Sequence, residues 1–312
     1  MLNFNQLRAF YHVAKNMSFT SAARELFITQ PAVTAQVKLF EDYYDLKLFK
    51  KKGRGVSLTE EGKLLYEHIR KIFEYEKEIE NLIADMKSLK KGLLRLGTTK
   101  TYARWFMPFL VGKFLEKYPC IKIHLKEGSS LEMTQSLIEL KIDMAIIAKV
   151  EEPPDVCFIP FSQEEMVVIA APDHRFARKG VIPFDELAKE PLIVKENGSG
   201  TRKIVNELFA RHNCPLNVLM EISNTEFIKQ LVEKGEGISF LVKAGIAAEV
   251  ERGKLAALVI EDERLFLDVS VACPKDMPLS PPARAFLEIV KKLMPEDPFQ
   301  GIEMLMRNCP PA

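Results

Sequence analysis

Between Thr59 and about Leu89 the chain carries no proline, and its only glycine, Gly62, falls in the first turn. Leu65, Ile72, Ile79 and Met86 repeat there at seven residues, with Ile69 and Ile83 at the intermediate seam position and Glu76 interrupting the series. This pattern predicts one long helix, and a strict heptad favours a two-helix seam over a face packed on a globular core. Packing within the monomer is the alternative. The length of the helix, and the lack of a covering segment nearby in sequence, favour dimerisation through Leu65, Ile69, Ile72, Ile79, Ile83 and Met86. A helix of this length divides the chain. The expected organisation is a head at 1–58, a linker helix and hinge at 59–91, a body at 92–300 and a tail at 295–312 that overlaps its end.

Charge follows the same division. The whole chain of 312 residues has a formal net charge of only +1, but residues 1–58 carry nine Lys/Arg against four acids and are net +5, leaving −4 for the remainder. A basic head on a mildly acidic body suggests a head that binds a polyanion. At 47% hydrophobic and 28% charged residues, the composition excludes collagenous, disordered and disulfide-framework proteins. No apolar run approaches the ~18 residues of a membrane span. The opening residues Met1 to Gln6 have neither a charged n-region nor a clean apolar h-region, so neither export nor a membrane is expected, and the cytoplasm is the expected location. The five cysteines (Cys120, Cys157, Cys214, Cys273, Cys309) are never spaced as Cys-x-x-Cys and are expected as reduced thiols.

Within the head, Leu7, Phe10, Tyr11 and Ala14 recur at helical spacing. Ser18 or Thr20 is positioned to cap a second short helix carrying Ala22, Ala23 and Leu26, with Phe27-Ile28 forming a tight turn. Thr29 caps a third helix with Pro31 in its first turn, where a missing N–H does no harm. On that helix Val33, Val37 and Phe40 form one apolar face. At ~100° per residue the opposite face carries Pro31, Thr34, Ala35 and Lys38, with Gln30 at the N-terminal tip. This lean, acid-free face suits the major groove of double-stranded DNA: Gln30 and Thr34 can bond base edges, and Ala35 can meet a thymine methyl. The basic run Lys50-Lys51-Lys52-Gly53-Arg54-Gly55-Val56 reads as a glycine-bracketed turn that would set Arg54 against phosphate or in a narrow minor groove. Three amphipathic helices alone would describe any small α domain. The tight helix–turn–helix followed by a basic hairpin favours DNA binding.

Ala22-Ala23-Arg24-Glu25-Leu26, Thr29-Gln30-Pro31-Ala32-Val33-Thr34, Gln36-Val37, Glu41, Leu48-Phe49 and Leu58-Thr59-Glu60-Glu61-Gly62 together resemble the winged helix-turn-helix of LysR-type transcriptional regulators. The resemblance implies DNA contacts from Ser18, Thr20, Thr29, Gln30, Pro31, Thr34, Ala35, Lys38, Lys51 and Arg54, an operator that is an imperfect palindrome, and a homodimer or the homotetramer usual in the family. Three residues depart from the family pattern. Thr34 stands for the usual Ser and keeps the hydroxyl, Lys51 replaces a common Arg and keeps only a point charge, and Asp45 occupies the usual Gly after the recognition helix, where the turn must tolerate a left-handed residue or be reshaped.

Beyond residue 92 strands and helices alternate. Leu93–Leu96, a helix with Ala103 to Leu115, Ile121–Lys126, a helix at Leu131–Lys141 and strand Met144–Ala148 form one βαβαβ unit. Leu192–Val194, a helix with Ile204 to Phe209, Val218–Ile222, a helix with Phe227 to Val232 and strand Ile238–Val242 form another. Two such units predict a C-terminal α/β domain of two doubly wound, Rossmann-like lobes. Cys157–Phe161 with Met166–Ala170 makes one crossing between them, and Leu265–Ala272 returns before a helix at Ala283–Leu293. Lobe I is expected at about 92–162 and 268–294, lobe II at about 163–267. Two lobes with two crossings resemble periplasmic-binding-protein-like domains, the fold of the LysR effector domain.

Ligands of open α/β lobes sit beyond the carboxyl ends of the strands. Thr99, Lys100, Thr101, Ser129, Lys149, Ser199, Gly200, Thr201, Arg202 and Thr225 fall there. Gly198-Ser199-Gly200-Thr201-Arg202 lets backbone N–H groups converge at a helix start, with Arg202 and Lys100 as opposite charge, which is the chemistry of a small-anion site. The plain alternative is that Ser199 or Thr201 merely caps its helix while Arg202 pairs with an acid. The string is also similar to that of family members controlling carbon dioxide fixation and sulfur metabolism.

An enzyme, or an effector-binding protein without specific DNA binding, is the rival reading. Asn197 stands where a Gly-x-Ser-x-Gly elbow needs glycine, Gly235-x-Gly237 lacks the third glycine of a dinucleotide loop, and the five histidines have no zinc spacing. No catalytic constellation, metal or cofactor is expected.

Overall fold

The computed structural model describes residues 2–53 and 55–293. Arg54 and the tail at 295–312 therefore lie outside the described residues. The chain forms two compact units, Met1–Asp85 and Met86–Ala312.

The first unit begins with α1 (Phe4–Asn16), whose start is capped by Asn3 accepting from the Asn5 and Gln6 amides, and which ends at left-handed Met17. α2 (Phe19–Glu25) is capped by Ser18, whose side chain accepts from Ser21 N. Thr20 is an exposed residue inside α2, so the cap falls to Ser18 alone. Left-handed Phe27 turns the chain into α3 (Gln30–Tyr44), capped by Thr29, with Pro31 in the first turn. α3 stops at Asp45 (φ 51°), which adopts the left-handed conformation itself and returns its N–H to Glu41 O. Aspartate tolerates this region better than most residues because its short side chain can bond locally. β1 (Phe49–Lys52) and β2 (Gly55–Leu58) form the antiparallel hairpin in the register Phe49↔Leu58 to Lys52↔Gly55. The three lysines thus belong to the strand and not to the turn.

α4 (Glu60–Lys87) is the long helix, started by Thr59 Oγ1 accepting from Gly62 N. Its first half corrects the seam assignment. Ile69 and Phe73 are buried, and together with half-buried Leu65 and Tyr66 they pack on Leu7, Phe10, Tyr11 and Phe40 of the same chain. The heptad is ambiguous because α1 offers its own apolar face to the same stripe. Leu65 and Ile69 are therefore core residues of the head. Glu76, which interrupts the repeat, is ion-paired with Arg8 of α1. Ile72, Ile79, Ile83 and Met86 remain exposed.

In the second unit β3 (Gly92–Thr99), α5 (Lys100–Trp105), α6 (Met107–Lys117), β4 (Ile121–Gly128), α7 (Ser130–Ile138) and β5 (Met144–Ala148) build lobe I. The single helix expected from Ala103 to Leu115 is two, broken at Phe106, because Pro108 has no N–H to bond the carbonyl of residue 104. β6 (Val156–Ala170) is one continuous crossing strand. Lobe II follows with β7 (Val181–Ile182), α8 (Phe184–Leu187), β8 (Leu192–Val194), α9 (Gly200–Arg211), β9 (Val218–Glu221), α10 (Thr225–Glu233), β10 (Ser239–Val242), α11 (Ala247–Glu251) and β11 (Ala256–Ile260). β12 (Leu265–Pro274) crosses back, and α12 (Pro281–Leu293) closes lobe I.

Each lobe has a parallel trio flanked by an antiparallel crossing strand. β4-β3-β5 is parallel, and β12 then pairs antiparallel with both β5 and β6. In lobe II β8 pairs in parallel with β9, a parallel bridge Leu192↔Ile238 leads to β10, and β10 and β11 pair antiparallel with the second half of β6. The sheets are accordingly mixed, as two βαβαβ units sharing two crossings require. Phe114, Phe286 and Leu94 anchor the core of lobe I, and Phe209, Leu208 and Leu258 that of lobe II. Full burial of each such side chain contributes about 1.5–3 kcal/mol.

Candidate functional site

Two surfaces carry chemistry, one in each unit. In the head, Val33, Val37 and Phe40 are buried as the α3 pattern predicts. Gln30, Pro31, Thr34, Ala35 and Lys38 are all exposed on the other side. Gln30 Nε2 donates to Thr34 Oγ1 at 3.0 Å, and Thr34 Oγ1 donates to Gln30 O at 3.0 Å, so both side chains are pre-aligned at the helix tip. The first acid on the helix is turned to structural use: Glu41 accepts from Leu48 N (2.7 Å) and Phe49 N (3.2 Å), tying α3 to the hairpin. Lys38, Lys50, Lys51 and Lys52 are exposed, and none has an ion-pair partner among the described residues. The result is a polar helix face beside a cationic strand whose lysines form no ion pair among the described residues, which is what phosphate and base contacts need.

In the second unit the carboxyl ends of β3 and β8 and the first turns of α5, α7 and α9 meet around a narrow cleft. Thr99, Lys100, Thr101, Ser129, Ser199, Gly200 and Thr201 line it, as expected from the sequence. Neither Thr99 nor Ser199 caps its helix through its side chain, so these hydroxyls do not cover the N–H groups at the starts of α5 and α9. Ser129 does cap α7, in a box with Glu132. α9 approaches so closely that a Cβ on Gly200 would lie 2.4 Å from Ala148 Cβ. Gly198, at φ +84°, makes the turn that delivers it there.

Three expected residues lie elsewhere. Lys149 is paired with Glu152 (2.7 Å) and stacks over Phe158, because side chains alternate along β5 and it is Ala148 that faces the cleft. Arg202 turns back from α9 to bond Lys195 O (3.1 Å), Glu221 (3.3 Å) and Asn206 (2.9 Å), so it braces the loop and does not line the cleft. Thr225 lies behind the wall, bonded to Thr101 Oγ1 at 3.2 Å and accepting from Lys195 Nζ at 3.3 Å.

Sequence reasoning missed the principal cation. Lys195, one residue past β8, is 8% exposed at its side chain and lines the cleft. Its ammonium donates to Ser223 O and lies 3.5 Å from Glu196. Burial holds its pKa below the usual lysine value and Lys100 adds to the effect, against opposition from Glu196. The signal was present, since Lys195 obeys the same carboxyl-end rule. Tyr102, Ser130, Val242 and Leu267 also line the cleft, and Ser130 Oγ is buried with no hydrogen-bond partner among the described residues. An ammonium, several hydroxyls, helix N-termini and the Glu196 carboxylate converge on one space, a polar lining of the kind that holds a small ligand. Among the described residues no group of three or more His, Cys, Asp or Glu could hold a metal ion, and no helix is long and apolar enough to cross a membrane.

Residues 4–63 match the family described as bacterial regulatory helix-turn-helix protein, lysR family, and residues 87–295 match the LysR substrate binding domain. The chain is 36% identical over 284 residues to the HTH-type transcriptional activator CmpR of Synechocystis sp., covering 91% of this chain and 93% of that protein. The regulatory domain of Synechocystis PCC6803 CcmR, solved in complex with 2-PG, is 33% identical at a TM-score of 0.62, covering 66% of this chain and 99% of that one. The oxidised form of Corynebacterium glutamicum OxyR shares the fold at a TM-score of 0.77 with 20% identity, over 98% of this chain and 94% of that one. With both family matches and a relative of this similarity along nearly its whole length, the chain belongs to the LysR family of bacterial transcriptional regulators.

Proposed function

We propose that this regulator senses a small anion (a carboxylate, phosphate or sulfate) in the interlobe cleft, and that cleft closure re-angles two DNA-binding heads in a dimer built on α4. The observation that carries the anion reading is Lys195, a buried ammonium facing the side-chain-uncapped start of α9. Thr99, Lys100, Thr101, Ser129, Ser199, Gly200 and Thr201 complete the site, with Arg202 and Thr225 acting behind it. That a relative's regulatory domain is solved with 2-PG supports a small-molecule effector. Ligand acts here by unequal affinity for two states, the only way it can shift their balance. The chain works as a binding protein and not an enzyme, and its DNA target puts it in the cytoplasm.

On DNA, α3 enters the major groove with Gln30, Thr34 and Ala35 on base edges and Pro31 and Lys38 alongside. Ser18, Thr20, Thr29, Lys51 and Arg54 contact the backbone or adjacent groove. Dimers set two such helices on successive half-sites of an imperfect palindrome, and pairs of dimers form the tetramer.

A thermal-shift screen of small anions tests the cleft. A ligand at about 100 times its dissociation constant adds roughly 2.7 kcal/mol to stability. The expected hit binds Lys195→Gln at least tenfold more weakly while that variant retains DNA affinity in a gel shift on the protein's own promoter. Equal binding by Lys195→Gln, or no response of the wild type to any anion, defeats the assignment.

A further inference from the structure

Neither functional surface uses a cysteine, yet two cysteines face one another across the sheet. From Ser270↔Pro160 to Pro274↔Val156 the strands β12 and β6 run antiparallel in unbroken register, and Cys273 stands directly opposite Cys157. Opposed residues of an antiparallel pair project from the same face with Cα atoms about 4.5–5.5 Å apart. That lies inside the roughly 4.4–6.8 Å over which a disulfide can form without backbone movement. The Cys157 side chain is close enough to the Cys273 thiol to act on its ionisation. The two differ in access: Cys157 is exposed, whereas Cys273 is buried. Burial, reinforced by the neighbouring Cys157, raises the Cys273 pKa against the pull of Lys291. An oxidant therefore meets Cys157 first, with Cys273 in place to resolve the product.

We propose that Cys157 and Cys273 form a reversible dithiol–disulfide centre, oxidised by a peroxide. The Cys157 thiolate attacks one oxygen of hydrogen peroxide; the O–O bond breaks, and the other oxygen leaves as hydroxide and is protonated to water. The resulting sulfenic acid is attacked by the Cys273 sulfur. An S–S bond forms, the S–O bond breaks, and the hydroxyl leaves as a second water carrying the Cys273 proton. Two thiols and one peroxide thus become one disulfide and two waters, with two electrons passing from sulfur to oxygen. β6 and β12 are the two strands that cross between the lobes, so this link closes a loop containing all of lobe II. A closed loop of that size restricts the unfolded chain and stabilises the folded one.

The test uses the full chain, reduced and then exposed to hydrogen peroxide, followed by peptide mapping without reduction. The expected product joins the Cys157 peptide to the Cys273 peptide within one chain, is reversed by dithiothreitol, and raises the melting midpoint by about 5–10 °C. Cys157→Ser and Cys273→Ser each abolish the link and the shift, and in Cys273→Ser dimedone traps a sulfenic acid on Cys157. The proposal is overturned if wild-type Cys157 is oxidised while Cys273 stays a thiol, if both stay thiols, or if the links formed join other cysteines or two chains. Because the wild-type map alone decides, the result does not depend on how either variant folds, nor on the anion reading of the cleft.

Discussion

Lys195 shows how one buried charge couples binding to pH. Its folded-state pKa lies below the ordinary lysine value because burial disfavours the ammonium. Between that folded value and the unfolded one the unfolded chain binds more protons, so this group's contribution to stability rises with pH across the window. A bound anion favours the charged form, so effector affinity is expected to fall as pH climbs through the folded pKa. Isothermal titration across alkaline pH checks this, with Lys195→Gln expected to lack the dependence. Glu25 works in the opposite sense. Its hydrogen bond with His12, helped by Asn16 and Lys15, lowers its pKa from 4.5 to about 2. Its stabilisation is present above 4.5 and is lost as pH falls from 4.5 through about 2. Melting midpoints across that window should decline more steeply in the wild type than in Glu25→Gln. The pair joins α1 to α2, so the loss is felt where the helix-turn-helix is assembled.

At the scale of the element, α4 has two halves with different work. Ile69 is 2% exposed in the head core, so Ile69→Ala should cost about 2–5 kcal/mol of stability in chemical denaturation. Ile79 and Ile83 are exposed at 57% and 47%, so removing them breaks no contact in the monomer core. The double variant Ile79→Glu, Ile83→Glu should keep the wild-type denaturation midpoint and shift sedimentation from dimer toward monomer. A heptad read from sequence could not separate these halves, because a stripe at this spacing fits α1 of its own chain as well as a second copy of α4. For α3 the outcome was legible in advance. Its length, its Thr29 cap and the Val33–Val37–Phe40 stripe all specify the same buried face, leaving Gln30 and Thr34 only one way to point.

For the effector-binding unit as a whole, several thin contacts span the cleft. Lys100 bonds Ser223 Oγ at 2.9 Å, Leu131 N bonds Gly198 O at 3.1 Å, and Arg104 pairs with Glu226 at 2.6 Å. An exposed ion pair such as Arg104–Glu226 contributes about 0–1 kcal/mol, a small restraint on the lobe closure proposed above. Saturating effector should slow amide exchange of Leu131 and of the first turn of α9 at least tenfold, while core amides of β6 stay unchanged. Hydrogen-exchange mass spectrometry reads this directly, and uniform exchange with and without effector would rule out closure. The two-lobe plan was visible in the sequence as a repeated βαβαβ order, and the long strand β6 as two apolar runs with nothing turn-like between them.

The order of elements, the basic head, the reading face of α3 and the positions of the cleft-forming helix starts follow from local rules of capping, periodicity and proline or glycine placement, and one strand of sequence carries those rules entire. Which charge enters the cleft does not. Lys149, Lys195 and Arg202 all sit near strand ends, and only the pleat of β5, the path of the chain after β8 and the presence of Glu221 across the loop decide that Lys195 lines the cleft while the other two do not. The same holds for Cys157 and Cys273, far apart in sequence and brought opposite each other by strand register. Directions of side chains at such sites depend on contacts between distant segments, and those exist only once the sheet has formed.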